Sequence, residues 1–168
     1  MAITRAKKES LLKEVTESLS NAVSVIFVAF KGMNVKEANE LRDALRTNGV
    51  KYTVVKKTLL KKALTDKGYE GEMPEMPGEV AMAYISTSSE DTDVTLPARS
   101  LGSFVKKFKG KLGFLGGALE GRYLSLKDAV QVAEIPATPM LRGMFVNIIN
   151  SPIQRMVIAL NQIAEKKA

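Results

Sequence analysis

The sequence predicts an α/β fold. A layered domain with a mixed β-sheet flanked by helices occupies residues 1–135, and a protruding C-terminal amphipathic helix follows in residues 136–168. Three observations carry this prediction. Ala22–Phe30 (AVSVIFVAF) is almost wholly apolar and rich in β-branched residues, the pattern of a central strand covered on both faces. Around it, short β-branched runs alternate with stretches of helical period, as in helices layered on a sheet. Beyond a linker at Pro136–Pro139, the run Pro139–Ile163 has helical period but more apolar residues than a surface helix carries.

Taken in order, Thr4–Leu19 reads as an amphipathic helix, with Leu11, Leu12, Val15 and Leu19 on one side and Arg5, Lys7, Lys8 and Lys13 around the rest. Lys31-Gly32 breaks the central strand. Asn34 and Glu37 then make a helix start, a small polar cap with an acid three positions on. Val35, Ala38, Leu41 and Leu45 mark its apolar face, and Asn48-Gly49 closes it. Val50–Lys56 is a second strand, followed by a short basic helix (TLLKKAL) that ends near Gly68. GYEGEMPEMPGE is an acidic loop, and Val80–Ile85 a third strand. After a polar stretch at Ser88–Asp93 comes a helix carrying Leu96, Leu101, Phe104, Val105 and Phe108. Pro97 fits only its first turn, and Lys106, Lys107, Lys109 and Lys111 cluster at its end, where cations complement the helix dipole. Leu112–Leu119 is a Gly-rich strand region, Gly121-Arg122 turns, and Ser125 with Asp128 opens a short helix, LKDAVQVAE. At least four strands and four helices thus fit within residues 1–135.

Composition excludes much chemistry. With no Cys and no His there are no disulfides, no Cys nucleophile and no histidine base, and most zinc sites are ruled out. The carboxylates are mostly scattered over helix surfaces and loops, no metal cluster or phosphate-binding P-loop appears, and Gly113, Gly116 and Gly117 do not make a dinucleotide motif. Neither enzyme, cofactor nor metal is expected. The first twenty residues are too charged for a signal peptide, and the longest apolar run is too short to span a bilayer, so a cytoplasmic protein is expected. Net charge is +7, unevenly placed: residues 1–70 hold 14 Lys/Arg against 8 Asp/Glu, residues 71–100 hold 1 against 6, and residues 101–168 hold 10 against 4. A basic excess suits a polyanion partner, and it also serves plain solubility.

The strongest chemical signal is VVKKTLLKK, Val54–Lys62. A strand ends at Lys56-Lys57 and a helix begins near Thr58, whose free backbone N–H groups attract anions. Two lysines and a hydroxyl sit there, with Lys61 and Lys62 just behind. Such contacts hold a phosphate backbone without reading bases. Tyr52 is the one aromatic residue in the neighbouring strand, which favours structured RNA recognised by shape over single-strand stacking.

The tail poses a different question. At about 100° per residue, Leu141, Phe145, Ile148, Ile149, Ile153, Met156, Val157, Ala159, Leu160 and Ile163 fall within half the circumference, and Asn147, Asn150, Gln154, Asn161 and Glu165 lie opposite. About ten large apolar side chains, each worth roughly 1.5–3 kcal/mol when buried, need cover from core, bilayer or protein. The run nearly repeats after eleven residues: Phe145 falls on Met156, Val146 on Val157, Ile149 on Leu160 and Asn150 on Asn161. Eleven residues are three turns with about 20° left over, so both copies face one way. Tandem sites for one partner would give this echo, and so would chance in an apolar helix. Pro152 is expected to kink or interrupt the helix.

The order of motifs resembles the bacterial ribosomal protein L-ten family, the base of the large-subunit stalk and a relative of P-zero. The resemblance spans essentially the whole chain: the buried strand, then FKGMNVKEANELRDALRTNGVKYTVVKKTLLKKAL, and the apolar helix after IPATP. ELRDALRTNGVKYTVVKKTLL is its most specific part. The family usually has Asn where Lys57 stands, so that Asn's hydrogen bonds are not implied here. The resemblance implies a non-enzymatic scaffold on the ribosome. Its N-terminal domain would bind large-subunit rRNA beside ribosomal protein L-eleven, and its C-terminal helix would carry two or three dimers of the stalk protein L-seven/L-twelve, which recruits translation GTPases. Carried onto this sequence, the rRNA-binding residues are Lys31, Gly32, Lys56, Lys57, Thr58, Lys61 and Lys62, with Lys7, Lys8 and Arg46. The stalk-binding residues are Leu141, Met144, Phe145, Ile148 and Ile149 in one segment and Ile153, Met156, Val157, Leu160 and Ile163 in the other; two segments favour two dimers. One rival reading is a nucleic-acid-binding regulator that dimerises through its C-terminal helix. A membrane-surface anchor is disfavoured because the tail's polar side is mainly Asn and Gln rather than Lys and Arg.

Overall fold

The sheet is built outward from β1 (Ala22–Phe30), the run that the sequence marks as central. In a computed structural model that describes residues 5–86, 93–108 and 110–167, β1 pairs on one side with β3 (Val80–Ser86) and on the other with β4 (Leu112–Leu119). Beyond β3 lies β2 (Lys51–Val55), and beyond β4 the three-residue β5 (Arg122–Leu124), giving the order β2-β3-β1-β4-β5. The α/β class and flanking helices are as expected, but the sheet is not mixed. Every pairing of these strands is antiparallel, and the only parallel pairing among the described residues is an isolated bridge between Glu70 and Arg122. The reason lies in β3. Strands β1 and β2, joined through a helix, do run in the same direction, but β3 inserts between them and pairs antiparallel with both. Residues 87–92, which include most of the polar stretch expected at Ser88–Asp93, and Lys109 lie outside the described residues.

The chain divides into two compact units, Met1–Ile135 and Pro136–Ala168. In the first, helices cover both faces of the sheet. On one face, Val15 and Leu19 of α1 (Arg5–Ser20) and Leu60, Ala63 and Leu64 of α3 (Lys57–Lys67) close over Val25 and Phe27. On the other, Leu41 and Leu45 of α2 (Val35–Thr47), together with Ala98 and Leu101 of α4 (Leu96–Lys107), pack against Ile26 and Val28. Alternate β1 side chains thus feed two separate cores, which is why the strand shows no polar alternation. A short α5 (Leu126–Glu134) packs beside α4, where Gly102 lets Ala133 approach closely. Its start is locked reciprocally: Ser125 N–H donates to Asp128 Oδ2 (3.2 Å), and Asp128 N–H donates to Ser125 Oγ (3.4 Å). Val35 does not join the α2 face; it is 77% exposed. At about 100° per residue it lies about 80° from Leu45 and 120° from Leu41, off the side that meets the sheet.

The Gly-rich strand has a packing explanation. A Cβ on Gly116 (φ +146°) would lie 2.6 Å from the Leu124 carbonyl oxygen and 2.8 Å from Pro74, and one on Gly117 2.6 Å from the Val25 carbonyl oxygen. These glycines let neighbouring backbone come close; they do not cradle a ligand.

The second unit is a single helix, α6 (Thr138–Lys167). Of the two outcomes expected at Pro152, an interruption does not occur: the helix runs through it. Proline removes one backbone donor, the bond toward the Ile148 carbonyl, and the surrounding ladder carries the helix past it. No helix among the described residues is long and apolar enough to cross a membrane.

Candidate nucleic-acid and protein-binding surfaces

The sheet register gathers the basic residues. Val55 of β2 and Ala29 of β1 both pair with Val80, and Phe30 pairs with Leu112 at the start of β4. Lys56, Lys31 and Lys111 therefore leave or enter the sheet at one end, with the exits of β2 and β1 about 10 Å apart, two strand spacings. Lys31 N–H donates to the Lys111 carbonyl (2.8 Å), and Gly32 (φ +66°) takes the left-handed turn that starts the loop into α2. Lys56 caps α3: its carbonyl accepts from Leu59 (2.9 Å) and Leu60 (3.0 Å). The N–H groups of Lys57 and Thr58 are left without a partner inside the helix, which gives that terminus its pull on anions.

On α3 the buried Leu60, Ala63 and Leu64 hold the helix down, while Lys57, Thr58, Lys61 and Lys62 are exposed. Among the described residues, Lys31, Lys56, Lys57, Lys61 and Lys62 make no ion pair. Other lysines are committed: Lys107 pairs with Glu40, and Lys111 with Glu37 at 2.6 Å, tying α4 and the start of β4 to α2. The end of the sheet thus offers free cations at β1 and β2 and a neutralised one at β4.

The other expected contacts are distributed differently. Lys7 and Lys8 sit on the opening turns of α1, whose Leu11 lines a groove of about 940 Å³ with Lys56, Lys57 and Thr58. Arg46 lies apart: it is in the last turn of α2, on the other face, near where the chain enters β2 and so at the opposite end of the sheet from Lys56. Lys36, exposed in the first turn of α2, and Lys111 belong to the Lys31 end, yet no sequence pattern marks them as part of it. Only the pairing of β1 with β4 places Lys111 there.

On α6, Leu141, Met144, Phe145, Ile148, Ile149, Ile153, Met156, Val157, Leu160 and Ile163 are all exposed, from 41% to 70%. Met140, Val146 and Ile158 are exposed as well, so the apolar surface extends past half the circumference. Because the helix is continuous, the eleven-residue echo becomes geometry: Phe145 and Met156, or Ile149 and Leu160, lie about 17 Å apart along one side.

Comparison with known proteins assigns the chain. Residues 3–98, from α1 into α4, match the family described as ribosomal protein L10. The large ribosomal subunit protein uL10 of Thermotoga neapolitana is 33% identical over 181 residues, covering 99% of each chain. That of Staphylococcus epidermidis is 32% identical over 166 residues, covering 99% of this chain and 96% of its own.

The chain belongs to the ribosomal protein L10 family. It is a structural, non-enzymatic protein of the large ribosomal subunit, located on the ribosome in the cytoplasm. The family match contains the whole Lys31–Lys62 cluster, and the similarity to both relatives continues through α6.

Proposed function

We propose that this L10-family protein binds large-subunit rRNA through residues 1–135, next to ribosomal protein L-eleven. Residues 136–168 anchor two dimers of the stalk protein L-seven/L-twelve, and through them serve translation GTPases. The observation that carries this reading is the exposure of thirteen large apolar side chains on one continuous helix. Left in water, they forfeit on the order of 20 kcal/mol of burial free energy, so the helix is built to be covered. Its tandem pattern fits two copies of one partner. The RNA half rests on the unpaired cations that the sheet register brings to one end beside the start of α3.

Native mass spectrometry of the full-length chain with purified stalk protein tests the assembly. Two dimers per chain are expected. A chain that binds no stalk protein and forms a stable dimer of its own through α6 would replace this reading with the self-associating regulator.

A further inference from the structure

An acid sits among the cations of the proposed RNA surface. Glu37 lies in the first turn of α2, and its carboxylate has two partners: Asn34 N–H donates to Oε2 (2.9 Å), and Lys111 Nζ donates to Oε1 (2.6 Å). Lys111 in turn accepts the Lys31 N–H on its carbonyl (2.8 Å). One carboxylate therefore holds the far side of the Lys31–Asn34 loop and the residue that clasps its near side. The lysine and the Asn34 N–H keep the Glu37 carboxyl below the usual glutamate range, and so charged.

By charge alone Glu37 is out of place. It repels a phosphate backbone and neutralises Lys111, which otherwise would join Lys31 and Lys56 as a third cation at the sheet end. By geometry it does the reverse. Gly32 stands at φ +66°, and a Cβ there would meet nothing within 4 Å, so Gly32 itself leans on nothing; Met33 beside it packs partly on the core, and the rest of the loop is held at its two ends. We infer that Glu37 is a positioning residue for RNA: through Asn34 and Lys111 it fixes the loop that presents Lys31 and the Gly32 backbone to phosphate. The inference rests on the rRNA-binding reading above.

The two effects have opposite signs, which makes them separable. Binding of the full-length chain to a large-subunit rRNA transcript is measured across a salt series for Glu37→Ala, Glu37→Gln, Lys31→Ala and the Glu37→Ala/Lys31→Ala double variant. Glu37→Ala is expected to weaken binding about three- to tenfold, the scale of one hydrogen bond, although it removes a negative charge. Glu37→Gln keeps an acceptor for Asn34 and should lose less. If Glu37 acts through the loop, the loss in the double variant is smaller than the product of the two single losses, because part of what Glu37 positions is already gone in Lys31→Ala. Should Glu37→Ala lower the melting midpoint, Glu37→Gln against the Lys31→Ala background carries the comparison. Tighter or unchanged binding by Glu37→Ala, or fully multiplicative losses in the double variant, overturns the inference. A Lys56→Ala/Lys57→Ala/Lys61→Ala variant in the same series tests the underlying reading separately: if it binds and responds to salt like the unmodified chain, the RNA assignment itself fails and the inference goes with it.

Discussion

Lys31 and Lys56 leave the sheet at the same end, because Ala29 and Val55 pair with Val80 from opposite sides. They are 25 residues apart in sequence, yet they form one basic edge with Lys57 and Thr58 at the start of α3. Replacing Lys56, Lys57 and Lys61 with Ala should weaken rRNA binding and flatten its salt dependence by about 0.7–0.9 in slope for each phosphate that is no longer neutralised. Filter binding at stepped salt concentrations measures both. Arg46→Ala, at the other end of the sheet, should leave the slope within error of the parent; a drop equal to that of a single Lys56→Ala change would mean the RNA wraps the α2 face.

The glycines of β4 make a stability prediction. Gly117 pairs with Ile26 in the centre of the sheet, and a methyl group there would sit 2.6 Å from the Val25 carbonyl oxygen and 2.8 Å from Ile26 Cδ1. Gly117→Ala should destabilise the fold by roughly 1–3 kcal/mol through overpacking, read from urea unfolding. Gly113, where an added Cβ meets nothing within 4 Å, should tolerate the same change with little loss. Equal losses at the two sites would show that strand propensity, not close approach, governs both.

Gly116 and Gly117 show what sequence reading can and cannot reach. Their spacing is enough to withhold a nucleotide site from them, but their packing role depends on the Pro74, Leu124 and Val25 neighbours that only the fold supplies. The central strand, the helix starts at Asn34 and Ser125, and the apolar tail are legible because each is written in local pattern: continuous apolarity, a cap followed by an acid, a helical period. Strand order, and with it the place of Lys111 and the remoteness of Arg46, is not, since one inserted strand turns an expected mixed sheet antiparallel. The strand Arg122–Leu124 escapes because three residues beside a turn carry no period. Pro152 does not end the helix, because the hydrogen bonds on either side of it carry the ladder past the one missing donor.

Two carboxylates set an acid limit. Glu37 is held low by Lys111 and the Asn34 N–H. At Asp93, partial burial pushes the carboxyl up, but hydrogen bonds from Thr95 and Arg99 outweigh it and the net shift is downward. Thr95 Oγ1 lies 2.7 Å from Asp93 Oδ1, and Arg99 pairs with Oδ2 at 2.8 Å. A carboxyl lowered in the fold contributes stability that is complete above its unfolded value and is lost as pH falls through its folded value. Urea midpoints should therefore fall on acidification below the ordinary carboxylate range. Asp93→Asn should flatten that fall, as should Glu37→Gln. A parallel acid slope in both variants would assign the effect to other groups.

The tail distinguishes two sites in series from one long site. Truncation after Asn150 removes Ile153, Met156, Val157, Leu160 and Ile163 and leaves the segment around Phe145. Stalk protein bound per chain should fall by half in native mass spectra, while the melting midpoint of residues 1–135 stays put, since that unit has cores of its own on both faces of the sheet. Point changes sharpen the test. Phe145→Asp and Met156→Asp each place a carboxylate in a surface meant to be covered, at a cost of several kcal/mol if it is buried unpaired. With two sites about 17 Å apart, each variant should lose one dimer and keep the other, and the pair together should lose both. If either change alone removes all stalk protein, the eleven-residue echo marks a single cooperative surface, and the tandem arrangement is wrong.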